Sequence, residues 1–228
     1  MGLITGIQLV LWSLGGLIFS THDIEWVRGN EGRSTEESPS IALETVAISP
    51  AQAARAAGFQ SVLEVRLGTV LGRPVYEVQS PANWTLVDAV SGEVLSPLSE
   101  SMAMAIAQAD RAFETRVVDT LFLTENPEVE YREKPLPAWR LDLDDTDNTH
   151  IYVDASTTRI TARRNDAWRR FDFFWMLHTM DYSSRDDFNT RWLILFASLG
   201  LFSVLSGWTL WLFRIRKRGR VEHAPPPS

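Results

Sequence analysis

Two long uncharged runs lie near the two ends of the chain. Residues 192–213 are 22 residues without charge, proline or histidine. As a helix they would span about 33 Å, which exceeds the roughly 30 Å of a hydrocarbon core. Residues 2–20 form a second uncharged run of 19 residues, about 28 Å long as a helix. The pattern predicts transmembrane helices over residues 1–21 and 191–213.

The N-terminal run has two interpretations, a retained span or a cleaved signal peptide. A signal peptide carries a basic segment ahead of its apolar core and a small-x-small cleavage site after it. No lysine or arginine precedes Arg28, and no Ala-x-Ala stands directly after the run. These absences favour a retained span, with a signal peptide as the alternative.

Between the runs, helical and alternating patterns predict an α+β fold. Ser49-Pro50 with Gln52 has the form of a capping box with proline at the first helical position. Ser99 precedes a second run of apolar helix formers. Segments rich in β-branched and aromatic residues alternate with turn residues, which indicates antiparallel strands. The predicted strands lie within 62–71, 75–79, 83–89, 93–95, 137–143, 150–155 and 159–162.

Part of this pattern occurs twice. Residues 86–94 and residues 152–160 share Val-Asp-Ala, then a polar turn, then a returning apolar strand. Agreement over the whole hairpin indicates an internal repeat. The sequence therefore predicts two small helix-plus-antiparallel-sheet modules, at 45–115 and, in reduced form, at 116–165.

Two connecting segments differ in character. Residues 22–44 are polar and rich in Gly, Ser and Pro, which predicts a linker. Residues 166–190 contain a predicted helix over 167–182, followed by a connector to the second span. One face of that helix is aromatic and favours an amphipathic helix at the membrane interface. Its members are Trp168, Phe171, Trp175, His178 and Tyr182.

Small residues recur along both apolar runs at steps of three and four. Such spacing lets membrane helices approach closely, although glycine is common in membrane helices in any case. The pairing residues predicted in the second run are Ala197, Gly200, Ser203 and Gly207, and those in the first are Gly2, Gly6, Gly16 and Ser20.

Charge is distributed unevenly and sets the predicted topology. The total is -7, but residues 23–187 hold 28 acids and 16 bases, while 214–220 is strongly basic. Basic segments stay in the cytoplasm. We therefore expect the tail 214–228 and the N-terminus to be cytoplasmic and residues 22–190 to face outward, the periplasm of a bacterium. An acidic middle repels phosphate backbones, so no nucleic-acid partner is expected.

Catalytic and metal-binding motifs are absent from the sequence. It contains no Gly-x-Ser-x-Gly, His-Glu-x-x-His, phosphate loop or dinucleotide fingerprint, and no cysteine. The acidic group Asp142, Asp144, Asp145 and Asp147 lacks the glycine and the closing glutamate of a calcium loop, so it is interpreted as a solvated turn. The sequence favours a protein without enzymatic activity and without a metal site.

Several segments together resemble a known family. They are residues 8–13, 136–140, 152–154, 166–182 and 205–208, and they extend over nearly the whole chain. They resemble the PepSY module and the PepSY-associated transmembrane family of bacterial inner membranes. The resemblance implies two PepSY-like modules between two transmembrane helices. Relatives usually carry a basic segment with a histidine ahead of the first span, so either the start codon lies upstream or that histidine is missing here.

The resemblance implies two possible functions. The first is a membrane-anchored, non-catalytic binding or regulatory module whose partners are the bilayer and another membrane or periplasmic protein. The second is a haem-associated subunit of a membrane electron-transfer or siderophore-iron reduction system. Haem b takes axial histidines, and neither apolar run contains one. The candidates are His22, just beyond the first span, and His178 on the amphipathic helix.

Overall fold

A computed structural model describes residues 2–34 and 40–221 of the chain. Residues 35–39 of the predicted linker and 222–228 of the predicted basic tail lie outside the described residues. The chain divides into two compact units, one comprising residues 1–22 with 170–228 and the other residues 23–169. We call them the helical unit and the α+β unit.

The helical unit contains two long apolar helices. They are α1 (Gly2–Thr21) and α6 (Arg191–Val221), and both have the length and composition needed to span a membrane, α6 over Arg191–Ile215. Large apolar side chains such as Leu3 and Phe202 are exposed along both helices. Exposed apolar surface on this scale is stable in hydrocarbon and costly in water. Both helices could therefore span a membrane, and the position of α1 is also that of a signal sequence.

The two apolar helices pack on each other at Gly200, where an added Cβ would lie 3.5 Å from Leu9 Cδ2. On α1 the buried positions are Thr5 and Gly15. A Cβ added to the predicted pairing residues Gly2, Gly6, Gly16 or Gly207 would meet no atom of another part of the described chain within 4 Å, and Ser203 is exposed. Of the glycines in the predicted small-residue faces, Gly200 alone lies at this contact within the described chain.

The α+β unit contains two antiparallel sheets, in strand orders β1-β2-β3 and β4-β5-β6-β7. This confirms the α+β class. The strands are β1 (Glu64–Val70), β2 (Arg73–Gln79), β3 (Trp84–Asp88), β4 (Val117–Leu123), β5 (Ala138–Leu143), β6 (His150–Asp154) and β7 (Ile160–Arg164). The helices are α2 (Ile24–Val27), α3 (Pro50–Ala56) and α4 (Glu100–Ala109), and α5 (Asp166–Thr179) begins in this unit.

The strand predicted at 93–95 is reduced to a single bridge between Val94 and Val87, and Leu95 N–H donates to Leu86 O at 2.8 Å. Two features end the pairing after Leu95. Proline at position 97 has no N–H to donate, and the N–H of Leu98 donates to Ala155 O at 2.8 Å, on the second sheet. The chain therefore leaves the first sheet and crosses to the second.

Helix α3 begins as the sequence predicts. Gln52 N–H donates to Ser49 Oγ at 3.3 Å, and Ser49 N–H donates to Gln52 Oε1 at 2.8 Å, so the capping box is complete. This satisfies two backbone N–H groups that a helix start leaves without partners. Ala53 of α3 is fully buried in a cluster with Tyr76 and Val78 of the first sheet.

The largest core joins both sheets to α4. Leu86 of the first sheet, Ala103 of α4 and Leu141 of the second sheet are all fully buried in it. Trp139 Nε1–H donates to Leu98 O at 2.8 Å and connects the second sheet to the crossing segment. The two predicted modules thus share a core, and their boundaries at 45–115 and 116–165 stay predictions.

The predicted repeat is present in the structure as two matching hairpins. Asp88 and Asp154 each end a strand, and inside the turn that follows the Asp88 carboxylate accepts two backbone N–H bonds and the Asp154 carboxylate accepts one. This is the local hydrogen bonding by which aspartate favours turns. The next residue of each copy donates its N–H across the sheet at 3.0 Å, Ala89 to Pro74 O and Ala155 to Pro137 O.

Candidate functional sites

His178 lies near the end of α5 against α1, within the helical unit. An added Cβ on Gly15 would be 3.7 Å from His178 Nδ1, and the imidazole centroid is 5.9 Å from the Trp12 ring and 5.7 Å from the Phe19 ring. His178 Nδ1 and Trp12 Nε1 are buried without a hydrogen-bond partner in the described part of the chain. Buried polar atoms are normally hydrogen-bonded, so this pair marks a candidate ligand position.

His22 follows the end of α1, and its Nδ1 lies 2.9 Å from Ile18 O. It is seven residues beyond Gly15, a distance along the helix of about 10 Å. None of the described contacts joins the imidazoles of His22 and His178. The binding of one haem by both histidines therefore stays a prediction, and the described contacts do not bring the two rings together.

The predicted aromatic face of the amphipathic helix is divided. Phe171 and Trp175 contact Phe19 of α1, with centroid distances of 4.6 and 5.8 Å. Trp168 belongs to the α+β unit, where the guanidinium of Arg164 lies 4.2 Å from its ring centroid. Tyr182 lies beyond the helix and is 62% exposed. That these residues form a contact surface for another protein stays a prediction.

Helix α5 ends at Thr179, so the predicted end at residue 182 is wrong. Met180 adopts a left-handed conformation with φ 53°, and the following loop is organised around Asp181. The Asp181 carboxylate accepts hydrogen bonds from the hydroxyl of Ser184 and from the backbone N–H groups of Ser183, Asp186 and Asp187. The Ser184 hydroxyl first, and then the backbone N–H groups, lower the pKa of Asp181 well below its usual value.

A second polar cluster lies on one face of the second sheet and centres on Glu130. Glu130 Oε1 accepts a hydrogen bond from Tyr152 Oη at 2.6 Å, and Oε2 accepts one from Arg169 Nε at 2.9 Å. His150 Nδ1 lies 2.5 Å from Glu130 Oε1. The neighbouring Tyr131 stacks on Tyr152 at a centroid distance of 4.4 Å. One carboxylate therefore connects β6, the β4–β5 connection and the start of α5.

Burial and hydrogen bonding oppose each other at Glu130. Burial alone would raise the pKa of the Glu130 carboxyl, but hydrogen bonds from His150, Arg169 and Tyr152 outweigh it and lower the pKa to about 2. At Tyr152, burial and the bond to Glu130 both raise the pKa far above its usual value. The cluster thus holds an ionised carboxylate and a neutral phenol.

Glu128, Glu130 and His150 offer ligand atoms within 4.8 Å of one another, a spacing that could hold a metal ion. Two guanidinium groups already neutralise the carboxylates, since Arg140 donates to Glu128 and Arg169 to Glu130. A divalent cation would have to displace these charges, which favours a structural ion-pair cluster. Sequence reasoning missed the cluster because Glu128 and Glu130 lie far along the chain from their partners.

The predicted solvated acidic turn is wrong in part. Asp142 accepts two hydrogen bonds from Arg140, at 2.8 and 2.9 Å. Asp145 accepts the N–H of Thr149 at 2.9 Å and lies 3.8 Å from Arg111. Both carboxylates are therefore structural, since Asp142 pairs with Arg140 of its own strand β5 and Asp145 lies beside Arg111, which follows α4.

Strand β4 is an edge strand with exposed apolar side chains. It pairs only with β5 in its sheet. Val118 is 57% exposed, Leu121 42% and Phe122 37%. The register shifts between Val117 and Asp119, which marks a bulge at Val118. An exposed apolar edge can accept another strand, so β4 is a candidate docking site.

No protein-family model matches the chain, and no curated protein or solved structure matches it. The class that the structure defines is an α+β protein with two antiparallel sheets and two helices that could span a membrane. Only the sequence segments named above connect the chain with the PepSY-associated family.

Proposed function

We propose that this chain is a membrane-anchored, non-catalytic binding or regulatory module of the PepSY type. In this proposal α1 and α6 span the inner membrane of a bacterium, both termini are cytoplasmic, and the α+β unit lies in the periplasm. The bilayer and a second membrane or periplasmic protein are its partners. The resemblance of residues 136–140 and 166–182 to the PepSY family supports this assignment.

One observation carries the proposal, namely the free apolar edge at β4. Peptide recognition by strand addition uses an exposed sheet edge, where backbone hydrogen bonds supply affinity and side chains supply specificity. The ionisable residues around Glu130 are engaged with one another through short hydrogen bonds. This arrangement favours a rigid scaffold that presents an edge over a site that performs chemistry.

Photo-crosslinking in native membranes tests the binding function. We would place a photoreactive amino acid at Leu121 on β4 and, in a matched variant, at Leu63, which is 66% exposed ahead of the other sheet. The proposal predicts a discrete adduct with a second protein from at least one of these positions. If neither position gives an adduct in membranes where the protein is folded, the binding function is wrong.

A second candidate function is a haem-associated subunit of a membrane electron-transfer or iron-reduction system. The observation that favours it is the buried, unpartnered Nδ1 of His178. In this hypothesis His178 supplies one ring nitrogen and a partner protein supplies the other axial ligand of haem b. Membranes containing the complex should then show a Soret band that His178→Ala removes and His22→Ala retains. A colourless complex would contradict this candidate.

A further inference from the structure

We propose that the free edge of β4 binds an extended segment of a partner protein in which two adjacent basic residues adjoin two adjacent apolar residues. The inference deepens the proposed binding function and rests on it. It follows from the backbone of the edge, its apolar side chains and its charges.

A side chain of β4 occupies one of the backbone N–H groups of the same strand. Thr120 N–H donates to Asp119 Oδ1 at 2.9 Å. An N–H that bonds a side chain of its own strand is not part of the ladder to β5, so it lies on the free side. Charged side chains at such positions protect sheet edges against indiscriminate strand pairing. An incoming strand must replace the Asp119 carboxylate with a carbonyl oxygen.

A basic residue on the incoming strand would compensate for this exchange. The displaced Asp119 carboxylate would pair with a lysine or arginine placed opposite it, where cross-strand side chains lie about 5 Å apart. Within the described residues, Asp119 has no ion pair with a lysine or arginine. A neutral segment offers the displaced carboxylate no partner, so Asp119 favours the binding of basic segments.

The two faces of the edge give the order of residue types. Thr120 pairs with Leu141 and Phe122 with Trp139, so Thr120 and Phe122 face α4, and Asp119 and Leu121 face the other side. On the α4 side, Thr120 Oγ1 donates to Glu100 Oε1 at 2.6 Å, which places a second carboxylate beside the edge. Each face therefore presents an acid next to an apolar side chain. A complementary strand carries two basic residues followed or preceded by two apolar ones.

Peptide binding to the full chain in lipid nanodiscs tests the inference. The probe is a dye-labelled Thr-Val-Val-Lys-Lys-Val-Thr peptide, compared with a version in which serine replaces both lysines. A third peptide is the lysine version N-methylated at alternate residues, so that it cannot hydrogen-bond along the edge. Binding is measured by fluorescence anisotropy at low and high salt.

We expect the lysine peptide to bind about fivefold more tightly than the serine peptide, the upper range for exposed ion pairs. High salt should reduce this ratio because the charges are exposed. Asp119→Ala should lower the ratio, because only Glu100 then faces a lysine, and should leave the serine peptide bound at least as tightly, because the side chain no longer occupies Thr120 N–H. The matched variant Glu93→Ala removes an exposed acid elsewhere and should keep the ratio of wild type.

Three results would overturn the inference: equal binding of the N-methylated peptide, an unchanged ratio in Asp119→Ala, or a photo-adduct from Leu121 to a second copy of this chain. Failure of the proposed function is recognised separately. If the peptides do not bind and adducts with a partner arise from Leu63 but not from Leu121, the binding function stands and the β4 site is wrong. If adducts arise from neither position, both are wrong.

Discussion

Replacing Glu130 with glutamine tests the energetic importance of the polar cluster on the second sheet. The substitution preserves the side-chain shape but removes the charge that His150, Arg169 and Tyr152 stabilise by hydrogen bonding. The Glu130 side chain is 12% exposed, so solvent screens these interactions weakly. Its pKa falls from 4.5 to about 2 in the folded chain. At 1.36 kcal/mol per pKa unit, this difference corresponds to about 3 kcal/mol of folding free energy at pH 7.

The pH window follows from the direction of the shift. A carboxyl group whose folded pKa is depressed contributes its stability above the unfolded pKa, and that stability is lost as pH falls through the folded pKa. For Glu130 the contribution is complete above pH 4.5 and disappears as pH decreases toward about 2. Glu130→Gln should therefore be less stable than wild type at pH 7 and converge with it in acid.

Urea unfolding of the full chain in detergent, followed by near-ultraviolet circular dichroism, measures this difference. The stacked Tyr131 and Tyr152 rings contribute to that signal. Glu125→Gln is the control, since Glu125 is exposed, and it should unfold like wild type at each pH. Equal stability of Glu130→Gln and wild type at pH 7, or a difference that persists unchanged at pH 2, would show that the charge of Glu130 does not stabilise the fold.

Further predictions concern the cap of α3, the contact between α1 and His178, and Trp168 near the start of α5. Ser49→Ala removes half of the capping box and should reduce the free energy of unfolding by about 1 kcal/mol in a urea titration, with Ser49→Asp close to wild type. Gly15→Ala should be tolerated because its Cβ would make ordinary contacts. Gly15→Leu should lower the free energy of unfolding in detergent by about 1–3 kcal/mol, because the larger side chain would overpack against His178. Trp168→Leu should lower the free energy of unfolding, measured by urea titration, by about 1 kcal/mol, because the ring's contact with Arg164 is lost. Equal stability of this variant and wild type would contradict the prediction.

Features encoded by neighbouring residues could be predicted from the sequence. The Ser49 capping box and the two aspartate-ended hairpins depend on residues only a few positions apart, so their patterns are visible in the chain. The apolar helices were equally accessible because length and composition alone define them. The α+β class followed from these local elements.

Features built from distant residues could not be predicted. Glu130 is connected to Arg169 across 39 positions, and no local pattern indicates that a glutamate in a loop will reach a helix start. The strand β4 was not predicted because its side chains are exposed on both faces, so the alternation of a half-buried strand is missing. The side of α1 that packs is also not the side that its glycine spacing predicts. Thr5 and Gly15 are the buried positions, and Trp12 and Phe19 contact His178.

In the proposed arrangement, two membrane helices hold the α+β unit on the outer side of the cytoplasmic membrane. The chain contains no cysteine, so a single introduced cysteine reports its own location. We would compare Glu93→Cys in the α+β unit with Gly219→Cys after the second span, using a membrane-impermeant maleimide on intact spheroplasts. We expect labelling at position 93 at once and at position 219 only after permeabilisation. Labelling of position 219 in intact spheroplasts, with position 93 protected, would contradict it.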